Sequence, residues 1–142
     1  MNIYFIILAA GKSKRFNSNL PKQFNYYKGK RMFEHSIDKA KNSKIFKKII
    51  LVINKSHRKY IKKLKKKDLI VINGGKERKN SSQIALNYLK KYKPSKVFIH
   101  DAARPNFSIK LLKKLSIQIR KEKAVIPYIK SDDSVKIKNK NI

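Results

Sequence analysis

The sequence predicts an α/β fold: a Rossmann-like layered sheet, mostly parallel, with helices on both faces. Short runs rich in Ile and Val alternate with segments of helical period, as buried parallel strands alternate with crossover helices. Small residues, glycines and cations gather directly after those runs, where ligands bind on such sheets.

The expected strands are Ile3 to Leu8, Ile49 to Ile53, Leu69 to Ile72, Val97 to Ile99 and Ala124 to Ile129. Each is short, continuous and apolar, so each is read as covered on both faces rather than half-exposed. Met32, Phe33, Ile37 and Ala40 share one face of a first helix. Tyr60, Ile61 and Leu64 do so in a second, behind a cap expected at Ser56. Ile84, Ala85, Tyr88 and Leu89 mark a third helix, and Leu111, Leu112, Leu115 and Ile119 a fourth, with Ser108 as its cap. Strand-helix-strand units cross over right-handedly, which places helices on both faces of one sheet.

Length and composition set bounds on function. A chain of 142 residues is expected to be a single domain, residues 1–142. The hydrophobic fraction of 41% supports a buried core despite a net charge of +30. With no cysteine, disulfides, cysteine-ligated metals and thiol catalysis are excluded, and a reducing cytoplasm is the expected compartment. The N-terminal apolar run, Ile3 to Gly11, is about half of the roughly 18 residues that a membrane helix needs, and no basic segment precedes it as in a signal peptide. No membrane association is expected.

Lysine supplies 32 of the 38 cations and arginine 6. Nucleic-acid recognition favours arginine, whose planar fork meets phosphates and guanine in pairs, so runs such as Lys65-Lys66-Lys67 are read as solvated surface and nucleic acid is not the expected partner. The charge suits a small polyanion, which its field would steer inward.

Four segments carry candidate chemistry. Leu8-Ala9-Ala10-Gly11-Lys12-Ser13-Lys14-Arg15 is a small-residue turn in which free N–H groups can cradle phosphate oxygens. It is not a P-loop, because Ile6 stands where the first glycine belongs, and Ser13 breaks the dinucleotide fingerprint. In Leu20-Pro21-Lys22-Gln23-Phe24 the proline stiffens the backbone that carries Lys22, which suits a cation placed against developing negative charge. Gly74-Gly75 opens the third helix with exposed N–H groups, and Ser81 shares that helix's inward face. His100-Asp101-Ala102-Ala103-Arg104-Pro105 sets an acid at a strand's carboxyl end beside small residues and an arginine. His35 and His57 lack a second ligand at metal spacing and are read as structural. No nucleophile elbow with a triad order is present.

These segments, in this order, resemble the 2-C-methyl-D-erythritol 4-phosphate cytidylyltransferases of the non-mevalonate isoprenoid pathway. The resemblance runs from the first strand to about Lys136. It implies transfer of CMP from CTP to methylerythritol phosphate, with magnesium and release of pyrophosphate. Carried over, it gives Ala9, Ala10, Gly11 and Ser13 backbone contacts to CTP, and Arg15 and Lys22 the stabilisation of the pentacoordinate α-phosphate. Gly75 and Ser81 would read the cytosine; Asp101, Ala102, Ala103 and Arg104 would floor the site; Ser134 would contact the sugar phosphate. Three residues depart from the family pattern: Ser13 replaces a glycine, Lys76 an aspartate and Ser134 a threonine. Ribitol-5-phosphate cytidylyltransferases share the glycine loop and Pro21-Lys22-Gln23 but usually lack the alanine pair at Ala102 and Ala103, which makes them the alternative. The family forms homodimers through an arm that lies past Ile142, and the resemblance leaves open that these residues are a nucleotide-binding part without turnover.

Overall fold

A computed structural model describes residues 1–11, 20–62, 64 and 68–129. The first strand, β1 (Ile3–Ala9), is buried along nearly its whole length. A 3-10 turn at Lys22–Phe24 follows, entered from Pro21 at φ −58° and ψ 140°. A hairpin of β2 (Tyr26–Tyr27) and β3 (Lys30–Arg31) comes next. Its two-residue loop holds Lys28 and Gly29 at φ 45° and 77°, the positive pair that suits the right-handed twist of the flanking strands.

Helix α1 (Met32–Ser43) begins where the Glu34 carboxylate accepts the Arg31 N–H at 3.0 Å. It ends at Lys44 in the left-handed conformation, φ 57°. Strand β4 (Lys48–Ile53) leads into a 3-10 turn at Lys55–Ile61, and β5 (Leu69–Asn73) into α2 (Arg78–Leu89). Strand β6 (Lys96–Asp101) precedes α3 (Ile109–Lys121), whose first turn is capped by the Ser108 hydroxyl accepting from Leu111 N–H at 3.0 Å.

The main sheet is parallel throughout, in the order β5-β4-β1-β6. From β1 the chain steps outward through β4 to β5, then returns to the opposite side of β1 as β6. That reversal opens a crevice at the carboxyl ends of β1 and β6, where helices leave in opposite directions. Period-two alternation divides the core. Phe5, Ile7 and Ala9 face the layer of α1 and α3, with Ile37, Leu51 and Leu112. Tyr4, Ile6 and Ala10 face α2, with Val52, Ala85 and Leu89.

Four of the five expected strands form, with ends one or two residues longer than the apolar runs alone. The fifth does not: residues 124–129 take no regular structure, and Ile126, Tyr128 and Ile129 are largely exposed. Pro127 stands in the middle of that run and has no N–H to give a ladder. The expected second helix is a 3-10 turn, and its cap is Asn54, whose Oδ1 accepts Ser56 N–H at 3.0 Å, rather than Ser56 itself. Tyr60, Ile61 and Leu64 nevertheless pack against the core. On α2 the inward stripe is Ser81, Ala85 and Leu89 at four-residue spacing, and Ile84 turns outward.

Phe24 anchors the 3-10 turn that carries Lys22. It is fully buried, with ring centroids 5.5 Å from Phe33, 5.2 Å from His57 and 5.1 Å from Tyr60. Truncating such a ring leaves a cavity as well as losing its transfer energy. Phe24→Ala is expected to cost about 3–5 kcal/mol in a denaturant titration.

Candidate active site

A cavity of about 390 Å³ occupies the crevice at the ends of β1 and β6. It is built by the alternation described above. Ala10 and Leu8 fall on the α2 side of β1, as Asp101 does on β6, so all three reach the cavity. Ala9 falls on the other side and is buried in the core with Phe5 and Ile7. Its side chain therefore does not line the cavity, and its backbone carbonyl accepts from Gln23 Nε2 at 2.8 Å.

Gly74 lets three elements converge. A Cβ at Gly74 would lie 2.6 Å from Ala10 Cβ, 2.7 Å from Ser81 Oγ and 3.0 Å from Val52, distances at which packed atoms overlap. The chain after β5 thus passes directly against β1 and α2 only because this residue has no side chain. Gly75 follows, and its N–H is donated to Ser81 Oγ at 3.2 Å. Ser81 is 2% exposed, so its hydroxyl sits in the cavity wall, accepting one hydrogen bond from Gly75 and able to donate its proton.

Asp101 ends β6 between two arginines. Arg78 Nε lies 2.9 Å from one carboxylate oxygen and Arg104 Nε 3.6 Å from the other. Asp101 to Arg104 is closed by a hydrogen bond from the Arg104 N–H to the Asp101 carbonyl at 3.0 Å, with Ala102 fully buried beneath. Both arginines are more than half exposed, so these pairs orient side chains more than they stabilise the fold. Lys22, Lys76, Arg78 and Arg104 face the cavity against Glu77 and Asp101, which makes it a cationic pocket open to an anion.

A larger groove of about 600 Å³ adjoins it and shares Arg78, Asp101 and Arg104. Its walls are mainly the apolar side chains of β6, α3 and residues 125–129. The charged and polar side chains converge in the smaller cavity instead.

Of the residues singled out in the sequence, Ala10, Gly11, Lys22, Gly75, Ser81, Asp101, Ala102, Ala103 and Arg104 line the one cavity. Ser13, Arg15 and Ser134 lie outside the described residues. Neither Arg78 nor Gln23 has a role assigned from the sequence, although Gln23 stands in the Leu20-Pro21-Lys22-Gln23-Phe24 segment. Arg78 lies one helical turn before Ser81, a spacing that places both near one end of α2. Gly74, read only as a source of N–H groups, proves to be the tighter of the two glycines against β1.

His100 points away from the cavity, its ring 4.6 Å from Phe107 and 5.8 Å from Phe5. Burial pulls its imidazole below the ordinary value of 6.5, against the opposing pull of the Asp101 charge. Among the described residues no helix is long and apolar enough to cross a membrane.

A parallel sheet with a reversal of strand order and a cationic crevice at that reversal make a doubly wound α/β fold, and the solved structures that superpose on it make it an α/β nucleotidyltransferase fold. The family model for "IspD: 2-C-methyl-D-erythritol 4-phosphate cytidylyltransferase" matches residues 3–142, and the chain belongs to that family. It is 53% identical over 141 residues to a bifunctional enzyme IspD/IspF of Pelagibacter ubique, covering 99% of this chain and 38% of that protein. It is 30% identical to the 2-C-methyl-D-erythritol 4-phosphate cytidylyltransferase of Thermotoga neapolitana, covering 92% of this chain and 60% of that one. The crystal structure of 4-diphosphocytidyl-2C-methyl-D-erythritol synthase from Anaerococcus prevotii superposes with a TM-score of 0.77 at 32% identity, over 96% of this chain and 59% of that one. The chain thus spans 38% to 60% of the length of these relatives.

Two expectations follow from the geometry. Gly74→Ala forces Ala10, Ser81 or Val52 aside and is expected to cost about 1–3 kcal/mol by overpacking, read as a lower denaturation midpoint. For His100, a folded pKa below the unfolded one means that the unfolded chain binds more protons in the interval between them. Stability is therefore lost as pH falls through 6.5 toward the folded value and is unaffected well above it. His100→Gln is expected to remove that acid-side loss, seen by comparing melting temperatures at pH 5 and pH 8.

Proposed function

We propose that this chain carries the CTP-binding and catalytic core of a 2-C-methyl-D-erythritol 4-phosphate cytidylyltransferase, acting in the cytoplasm on CTP and a sugar-alcohol phosphate, and that the full enzyme is a homodimer. The observation that carries the reading is the convergence of Lys22, Gly75, Ser81, Asp101 and Arg104 on one cavity at the strand-order reversal. Family membership supplies the substrates.

In the proposed reaction an oxygen of the sugar phosphate attacks the α-phosphorus of CTP, and the bond to the β-phosphate oxygen breaks to release pyrophosphate. Such transfers ask a protein for positioning and cations rather than a covalent nucleophile. Lys22, held at the cavity by a turn whose next residues are buried, is assigned to stabilise the charge that grows on the pentacoordinate phosphorus. Arg15 is assigned beside it from the family resemblance. Ser81, accepting from Gly75 N–H, can donate its proton to an acceptor on the cytosine edge. Ala10 and Gly11 offer backbone, and Ala102 and Ala103 a floor without bulk.

Among the described residues no cluster of three or more His, Cys, Asp or Glu side chains stands ready for an ion. The cavity's carboxylates are Glu77 and Asp101, a donor set that suits magnesium arriving with phosphate oxygens in most of its coordination shell. Asp101 would be the protein group to hold it, and the ion would neutralise triphosphate charge.

The test is CTP-dependent pyrophosphate release with magnesium and methylerythritol phosphate, beside ribitol 5-phosphate, on this chain and on a full-length relative. Release with methylerythritol phosphate alone is expected; release only with ribitol 5-phosphate assigns the polyol enzyme, and folded chain that neither binds CTP nor turns over refutes the reading. Lys22→Ala is expected to lower kcat about 10²–10³-fold, as when one transition-state donor is removed, with a smaller change in KM for CTP.

A further inference from the structure

The cavity holds a buried polar side chain, Gln23, whose role the reaction above leaves open. Gln23 is 4% exposed. Its Nε2 donates to two backbone carbonyls of the turn after β1, Ala9 O at 2.8 Å and Gly11 O at 2.7 Å. Both amide protons are thus spent on a segment more than ten residues away in sequence. These carbonyls flank the point where β1 leaves the sheet: its pairing with β6 ends at Leu8, and its pairing with β4 ends at Ala9. Beyond that point no ladder directs the backbone, and a buried carbonyl without a donor costs about 1–3 kcal/mol.

Gln23 is itself held rigidly. It sits between Lys22 and the fully buried Phe24 in one 3-10 turn, with Phe24 N–H donated to Pro21 O at 2.8 Å. The same turn is tied on its far side by Arg31 Nη1, donating to Phe24 O at 2.6 Å. A planar trans peptide points its N–H opposite its C=O. Fixing the Ala9 carbonyl on Gln23 therefore also fixes the direction of the Ala10 N–H, at a residue that lines the cavity.

We propose that Gln23 is a positioning residue of the nucleotide site: it staples the Lys22 turn to the backbone of Ala9 and Gly11, so that the cation and the phosphate-facing backbone are held in one fixed relation. Gln23 touches no reacting atom in this role; it acts through Lys22 and the backbone amides. The inference rests on the cytidylyltransferase reading for the ligand, while the staple itself is a property of the folded chain.

Two variants of the full chain test it, each checked for folding by its melting transition. Gln23→Met keeps the volume and removes both donors; Gln23→Glu keeps the shape and sets a carboxylate against two carbonyls. Both are expected to weaken CTP binding with magnesium about tenfold or more, the scale of one orphaned buried carbonyl, that of Ala9. Gln23→Glu is further expected to regain affinity as the pH is lowered, because the protonated carboxyl donates one hydrogen bond; neither the wild-type chain nor Gln23→Met has that recovery. Wild-type affinity in both variants, or Gln23→Glu with no pH-dependent recovery, overturns the proposal. Amide hydrogen exchange at Ala10 and Gly11 is read in the same samples. If the wild-type chain does not bind CTP, the cytidylyltransferase reading fails, and exchange then decides the staple: faster exchange in Gln23→Met sustains it and unchanged exchange overturns it.

Discussion

Strand β1 is hydrogen-bonded on both edges and covered on both faces, and the rest of the molecule is arranged by that constraint. A strand with no free edge and no wet face must be apolar along its length, as Ile3 to Ala9 is. Polar function can begin only where the strand stops. Because the chain leaves β1 for one side and later returns on the other, the place where it stops is also where the layers part. The cavity is a consequence of the topology before any polar residue is considered.

What fills the crevice is governed by side-chain alternation and by the absence of side chains. Ala10 and Asp101 reach it because they fall on the α2 side of their strands, whereas Ala9 and His100 are turned to the opposite layer. Gly74 lets the chain after β5 come against Ala10 and Ser81. Ala102 is buried under the turn that joins Asp101 to Arg104. Small residues set how near the walls stand, and Lys22, Lys76, Arg78 and Arg104 set the charge of the space between them.

The two polar systems at the crevice differ in kind. Asp101 is shared between Arg78 and Arg104, both well exposed, an arrangement that water screens and an entering anion can reorganise. Gln23 is neutral, buried and committed to two backbone carbonyls, that of Ala9 buried away from water. A site that binds a highly charged ligand needs both: cations free to adjust, and a backbone that does not.

Much of this was legible in one dimension. The Ile and Val runs gave four strands, the helical periods gave α1, α2 and α3, and the cap at Ser108 was read correctly, because burial on both faces and helix capping act within a few residues. The motifs at the strand ends also named nine residues that line one cavity. Other features depended on partners distant in sequence. Residues 124–129 have the composition of a strand but carry Pro127 and form no ladder; Asn54 took the capping role expected of Ser56. The side of the sheet on which Ala9 falls, the crowding that makes Gly74 necessary, and the reach of Gln23 back to β1 were decided only by tertiary structure. Composition and period fix which segments become strands and helices, but which atoms meet across a crevice depends on how separate strands are ordered and faced, and that ordering is settled by packing the whole sheet at once.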